Sequence, residues 1–253
     1  MNKTVVKALE LLQLFTAYEQ LTLQQMVQLT KLPKTSVYRM VQSLVASGFL
    51  KKDGEAYELG LSLLQFGCLV AERLDVRKVA LPIMEQLREE TNEAVNLVVK
   101  DGDEAIYVEK VETSEPVRVY TRVGRRAPLY AGACPRVLLS FMPSEEQKQY
   151  LDRVELIPIA SKTIVDREKL KTVVNEAKRK GYTVSHSELA DHSSAVAVPI
   201  FNHEGKVVAG LSVVGPESRF QPSYIEQLVP KLKHAAEQIS KALGFIGGKD
   251  VEL

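Results

Sequence analysis

Thr35, Ser36, Tyr38, Arg39, Gln42 and Ser43 offer hydroxyl, guanidinium and amide groups along one side of a predicted helix over residues 34–47. Such groups suit base edges in the major groove of DNA and phosphate oxygens. Val37, Met40, Val41, Leu44 and Val45 recur at helical spacing on the opposite side and should form a buried stripe. Between Lys31 and Lys52 there are five basic residues and no acidic one. The candidate nucleic-acid contacts are therefore Lys34, Thr35, Ser36, Tyr38, Arg39, Gln42, Lys51 and Lys52.

Other reactive side chains are sparse. Cys134 has no histidine close in sequence, so a small pocket or core residue is the reading preferred over a nucleophile or redox sensor. His186, Glu188, Asp191 and His192 are of metal-ligand types, but they follow a predicted strand in a loop where solvated polar residues are normal. No catalytic and no metal residue is assigned. Arg125 and Arg126 could clamp a carboxylate at a pocket mouth, with a solvated loop as the alternative. There is no phosphate-binding glycine loop, no dinucleotide fingerprint and no triad-like constellation, so no cofactor is expected.

The elements that must hold the polar helix are legible around it. A short amphipathic helix over residues 22–29 opens on a plausible capping box, Thr22 with Gln25. A turn follows at Thr30–Pro33, where proline suits a helix start. After Gly48, two short strand-like runs flank Asp53-Gly54, a strong hairpin signal that would set Lys51 and Lys52 beside a DNA backbone. Helix, turn, helix and hairpin in this order make a winged helix-turn-helix, the second helix being of the kind that enters the major groove.

Composition is that of a soluble globular protein: 253 residues, 45% hydrophobic and 26% charged. The length favours two domains. Cys68 and Cys134 do not suggest a disulfide framework, and no apolar run reads as a membrane span or signal peptide. A cytoplasmic protein is expected. Residues 1–60 hold seven Lys or Arg against five Asp or Glu, a charge of +2, which leaves −1 for the remainder of a chain whose total is +1. So small an excess implies that affinity for DNA comes from two copies binding together.

The first helix, about 4–18, carries two apolar stripes, Val5, Leu9, Leu12, Phe15 and Leu11, Leu14, Tyr18, one for the core and one for a partner chain. Residues 61–74 read as a linker helix with Leu63, Phe66, Val70 and Leu74 near one face. Beyond it the expected order is a helix over 75–92, strands at 94–99, 104–111 and 117–121, and a basic loop at 122–126. Helices follow at 134–141, 144–151 and from an Asp166 cap to Lys180, stopped by Gly181. Strands at 182–187, 195–201 and 206–214 and a helix over 222–243 complete the chain. Hairpin-linked strands interleaved with helices indicate an α+β domain on an antiparallel sheet. The expected division is a DNA-binding domain at 1–60, the linker at 61–74 and a second domain at 75–253.

Over both domains the chain resembles the IclR family of bacterial transcriptional regulators. Leu32-Pro33-Lys34-Thr35-Ser36-Val37-Tyr38-Arg39 is similar to that family's recognition-helix entry, with Gly48-Phe49-Leu50 opening the wing. Gly124–Pro128 with Leu129-Tyr130-Ala131 is similar to its pocket segment. Gly181-Tyr182, Ala197–Phe201 and Ala209–Pro216 are similar to its carboxy-terminal signature. The resemblance implies a GAF-like effector domain, dimers formed mainly through the DNA-binding domains, frequent tetramers, and a small-molecule effector, commonly a carboxylate or aromatic metabolite.

By position it places the pocket on Ala133, Cys134, Ser185, Ala195, Ser212 and Val214. The chain departs from the family pattern there, with Ser185 in place of a frequent acid, Ala195 of a cysteine and Val214 of a serine. Pro135 and Arg136 replace a usual glycine and lysine. Fewer polar groups and a proline without an N–H imply an effector with a substantial apolar part, held by Ser185, Ser212 and the remaining backbone N–H groups. Two other functions stay open, an enzyme or a ligand-free interaction module in place of the effector domain.

Overall fold

The computed structural model describes residues 2–72 and 75–246, and the chain divides into two compact units, residues 1–73 and 74–253.

The first unit begins with α1 (Lys3–Leu14), two-residue β1 (Leu21–Thr22), α2 (Leu23–Thr30) and α3 (Lys34–Ala46). Thr22 and Gln25 cap α2 reciprocally, side chain to backbone in both directions, as their spacing predicts. Lys31 takes a left-handed conformation at φ 55° to turn the chain, and Pro33 stands just before the first helical residue of α3. The end of α3 is a Schellman motif. Gly48, at φ 73°, donates to Val45 O and Phe49 N donates to Leu44 O, so the helix stops and the wing starts within two residues.

The wing pairs β2 (Leu50–Asp53) with β3 (Ala56–Leu59), and β1 adds on the far side of β3, giving the order β1-β3-β2. Asp53 pairs with Ala56, so the loop is Gly54-Glu55, not Asp53-Gly54. Gly54 is at φ 57° and Glu55 is not left-handed, as in a two-residue loop with glycine first. Leu11, Phe15, Leu21, Met26, Val37, Met40, Val41, Leu44, Leu50 and Tyr57 form the core. The two predicted stripes of α1 are thus mixed: Leu11 and Phe15 face inward, while Val5, Leu9 and Tyr18 are exposed. Last in this unit is α4 (Leu61–Glu72), whose Phe66 stacks on Phe49 with ring centroids 5.6 Å apart. Leu74, placed on the apolar face of the predicted linker helix, lies outside the described residues.

The second unit is built on six antiparallel strands. They are β4 (Ala94–Asp101), β5 (Glu104–Val111), β6 (Arg126–Pro128), β7 (Thr183–His186), β8 (Ser193–Phe201) and β9 (Val207–Pro216), in the order β6-β5-β4-β9-β8-β7. Strand alternation sends Val95, Leu97, Val196, Val198, Leu211 and Val213 to one face, under α5 (Asp75–Thr91) and α9 (Pro222–Ala242). The other face packs against α6 (Ala133–Phe141) and α8 (Arg167–Lys180), with α7 (Ser144–Arg153) contributing Tyr150 and Leu151 to that layer.

The segment 117–121 is not a strand. The edge of β5 is taken instead by the chain that follows it: Gly124 N donates to Tyr107 O, Tyr107 N donates to Arg125 O, and β6 pairs with Glu104–Ile106. Residues 117–121 join no ladder, and Val117 and Tyr120 are exposed.

Candidate functional sites

On α3 the buried side chains are Val37, Met40, Val41 and Leu44. Lys34, Thr35, Ser36, Tyr38, Arg39, Gln42 and Ser43 are all exposed. Tyr38, at 50% exposure, is a large ring held in solvent by a helix whose other side is fixed in the core. Among the described residues Lys31, Lys34, Arg39 and Lys52 enter no ion pair, so their charges are available to an anionic partner. Lys51 is different. Its Nζ lies 2.9 Å from Glu58 Oε1 across the β2–β3 ladder, a bond that raises the Lys51 pKa and lowers that of Glu58. Alternation along β2 also turns Lys51 and Lys52 to opposite faces of the wing, so they cannot act as one pair.

In the second unit Ala133, Cys134, Ser185, Ala195, Ser212 and Val214 all line one cavity of about 40 Å³. The register explains the grouping. Asn96 is opposite Ser212 on β4 and β9, Ala195 is opposite Val214 on β8 and β9, and Ser185 is opposite Ala195 on β7 and β8. All are on the face that meets α6. A Cβ at Gly210 would lie 2.8 Å from Val137 and 3.0 Å from Cys134 O, so the bare glycine is what lets the start of α6 rest on β9. The remaining wall includes Tyr107, Val119, Thr121, Arg125, Gly132 and Leu189.

The start of α6 is already satisfied by its own chain. Ser185 Oγ accepts from Ala133 N at 3.0 Å, and Glu188 Oε2 accepts from Gly132 N at 3.2 Å. Pro135 has no N–H, which leaves only Cys134 among the first three helical residues with a donor not taken by a side chain. Arg136, wholly buried, reaches Glu188 Oε2 at 2.5 Å, Thr183 Oγ1 at 3.1 Å and Val184 O at 2.5 Å. Ser185 therefore holds the helix start as an acceptor, while its hydroxyl hydrogen is left able to donate into the cavity that it lines.

Burial pushes the Cys134 thiol up to about 12, against smaller opposing effects of the Ser212 hydroxyl and the Val98 backbone. The thiol donates to Gly210 O at 3.4 Å. A protonated, enclosed thiol is not an activated nucleophile. Tyr107 is likewise raised, first by burial and then by the neighbouring Cys134.

The two arginines separate. Arg125 lines the cavity, lies over the Tyr107 ring at 5.9 Å and donates to Leu189 O at 3.4 Å. It pairs with no carboxylate among the described residues. Arg126 turns to Asp101 and Glu104 at the sheet edge. Nor do His186, Glu188, Asp191 and His192 converge: no group of three or more such ligands could hold a metal among the described residues. His186 Nδ1 meets Ser194 Oγ at 2.7 Å, Glu188 serves Arg136, and Asp191 Oδ1 accepts from Ser161 N at 2.8 Å.

Asn96 was not singled out by sequence reasoning. Only 2% of it is exposed, it lines the cavity, and its Oδ1 has no hydrogen-bond partner among the described residues. Its signal in the sequence is a single amide in the otherwise apolar run Ala94-Val95-Asn96-Leu97-Val98-Val99. No helix among the described residues is long and apolar enough to cross a membrane.

Known proteins match both units. The IclR helix-turn-helix domain covers residues 4–54 and the bacterial transcriptional regulator IclR C-terminal domain covers residues 68–241. The chain is similar to the HTH-type transcriptional regulator KipR of Bacillus subtilis, at 54% identity over 96% of this chain and 98% of that protein. It is also similar to the regulator KdgR of Escherichia coli, at 31% over 96% and 93%. The crystal structure of Thermotoga maritima IclR superposes with a TM-score of 0.78 at 31% identity, covering 97% of this chain and all of that one. An IclR homologue of Microbacterium hydrocarbonoxydans, solved with 4-hydroxybenzoate, gives 0.82 at 27%, covering 95% and 99%. A polar recognition face on a helix-turn-helix, a cavity enclosed on a six-stranded sheet and these full-length matches agree: the chain belongs to the IclR family of DNA-binding transcriptional regulators.

Proposed function

We propose that this regulator is a cytoplasmic homodimer or tetramer that binds a pseudo-palindromic operator and releases or grips it according to the occupancy of the cavity on α6. Residues 1–60 carry the DNA contacts, 61–74 act as linker and 75–253 sense the effector. Lys34, Thr35, Ser36, Tyr38, Arg39 and Gln42 enter the groove, with Lys52 on the wing and Lys51 released to phosphate when its bond to Glu58 is exchanged. The effector lies among Ala133, Cys134, Ser185, Ala195, Ser212 and Val214, with its apolar part against Tyr107, Leu189 and Val214. The observation that carries this reading is the enclosure itself: a cavity lined by every pocket residue that the family resemblance marks.

The second unit is read as a sensor and not as an enzyme or a ligand-free module. Cys134 is its only buried thiol, and that thiol is held protonated. The test is operator binding by the full chain with and without an effector found by thermal shift, since a ligand of the folded state raises its stability by mass action. Ala195→Phe fills the cavity and should abolish the ligand response while leaving operator affinity intact. A normal ligand response in Ala195→Phe refutes this site.

A further inference from the structure

The sheet leaves a second and larger cavity where β7 stops. β7 pairs with β8 only as far as Thr183 opposite Ala197, so Val198, Pro199 and Phe201 run on past its end with no strand on that side. Pro199 has no N–H to leave unpaired there, which suits an open edge. α9 borders this notch, and a cavity of about 290 Å³ lies between them, reaching Gly181 and Phe245. It shares no lining residue with the cavity on α6. Its lining is mainly apolar: Val198, Pro199, Phe201 and Ala236, with Phe245 stacked on Phe201 at a centroid separation of 5.3 Å. Water in an apolar hollow has few partners, so an apolar body that displaces it gains free energy.

The charge left at the rim is positive. Lys233 Nζ donates to Lys180 O at 2.8 Å and lies over the Tyr182 ring at 5.7 Å, but it pairs with no carboxylate among the described residues. An ammonium carries three N–H donors, so donors remain for a ligand. Glu237, the one carboxylate in the lining, is 2.7 Å from Lys241. The last turn of α8, just before Gly181, adds Lys178 and Arg179, both exposed and without an ion pair among the described residues.

We propose that this notch is a second ligand site, separate from the cavity on α6, and that it takes a compact hydrophobic monoanion. The apolar body lies against Pro199, Phe201 and Phe245, and the anionic head meets Lys233. A volume of about 290 Å³ stands at the small end of ligand pockets, ~300–1,000 Å³, and suits a single ring with a short chain.

The test compares hydrocinnamate with its alcohol and its amine, three probes of one shape and different charge. Calorimetry is run on the full chain, both as the wild type and as Ala195→Phe, in which the cavity on α6 is filled. In Ala195→Phe, hydrocinnamate should still saturate one site per chain. It should bind about tenfold or more tighter than its alcohol, the size of one charge-assisted hydrogen bond, with the amine weakest. Lys233→Met keeps the stem and removes the charge, so it should bring the acid down to the level of the alcohol and leave the alcohol unchanged. Lys233→Arg should keep the acid's preference. Phe245→Ala should weaken all three probes by about fivefold or more, since part of the apolar wall is gone. An amine bound as tightly as the acid, or acid binding unchanged in Lys233→Met, overturns the proposal. Loss of the alcohol in Lys233→Met would make that residue structural and overturn its assignment. Loss of all binding in Ala195→Phe would put the anion in the cavity on α6, and no saturable binding at millimolar concentration would leave the notch without a ligand; either overturns the site. Binding that weakens as the protein is concentrated would give the notch to a second copy of the chain. A gain of about tenfold on shortening the chain after Ile246 would give it to residues 247–253, and each of these results also refutes the proposal.

Discussion

Glu188 Oε2 accepts from two donors at once, the Arg136 guanidinium at 2.5 Å and the Gly132 N–H at 3.2 Å. One carboxylate oxygen therefore neutralises a fully buried cation and fixes the entry of α6. Removing either partner leaves the other charge buried and unpaired, which typically costs ~3–5 kcal/mol.

We expect Arg136→Met to destabilise the protein by an amount of that order, and Glu188→Gln by less, since its amide oxygen can still accept. The double variant should be less destabilised than the sum of the two, because the uncompensated charge is gone. Urea denaturation followed by circular dichroism measures all three. Strict additivity would refute direct coupling between these residues.

The buried thiol makes stability fall at alkaline pH. In the unfolded chain Cys134 ionises near its ordinary value of 9.0, whereas in the fold it keeps its proton to about 12. The folded pKa is the higher one, so the contribution is fully present below pH 9 and is lost as pH rises from 9 towards 12. Cys134→Ala should flatten that part of the stability profile. Iodoacetamide at pH 8 should label exposed Cys68 and spare Cys134; rapid labelling of Cys134 in the native protein would refute the assigned environment.

Three basic residues on the DNA-binding surface should behave differently. Arg39→Ala is expected to cost ~1–3 kcal/mol at the operator and relax preference at one base pair. Lys52→Ala should weaken binding to every sequence and reduce the salt slope by about one. Lys51→Ala should do less than Lys52→Ala at low salt, because Lys51 already has Glu58 as partner. Glu58→Gln, which frees Lys51, should tighten non-specific binding. Fluorescence anisotropy over a salt series separates these outcomes, and equal losses for Lys51→Ala and Lys52→Ala would remove the role given to Glu58.

Leu61, Leu64, Phe66, Leu69 and Val70 of α4 are exposed, as are Val5 and Leu9 of α1. An isolated monomer rarely leaves so many large apolar side chains uncovered. We expect sedimentation of the full chain at micromolar concentration to show a dimer or larger, and Leu64→Glu with Val70→Glu to lower operator affinity through loss of assembly. A wild-type monomer with unaltered affinity would contradict this.

Local signals were legible because their physics is local. Thr22 with Gln25, Asp166 with Gly181, and the apolar stripe from Val37 to Leu44 act within a few residues, and each appears where its spacing puts it. The segment Val117–Thr121 reads as a strand by composition, yet the stretch that joins the outer edge of β5 is Gly124–Pro128, against Glu104–Tyr107. The cavity was legible only through resemblance, since register across four strands brings Ser185, Ala195, Asn96 and Ser212 together. That Ser185 would be used by a helix start, and that Arg136 would be buried against Glu188, depends on contacts about 50 residues apart in sequence.

The alternation along β9 has a further consequence. Gly210, Ser212 and Val214 face α6, while Leu211 and Val213 face α5 and α9. The chemistry of the cavity is therefore stored as parity. An insertion of one residue within β9 would exchange the two sets, sending leucine where the polar group stands and a serine into an apolar layer. Evolution can alter effector preference on this strand by substitution at every second position, but length changes inside it are closed to it. Insertions belong instead to the Asn202–Gly205 turn, which can grow without disturbing which face each residue meets.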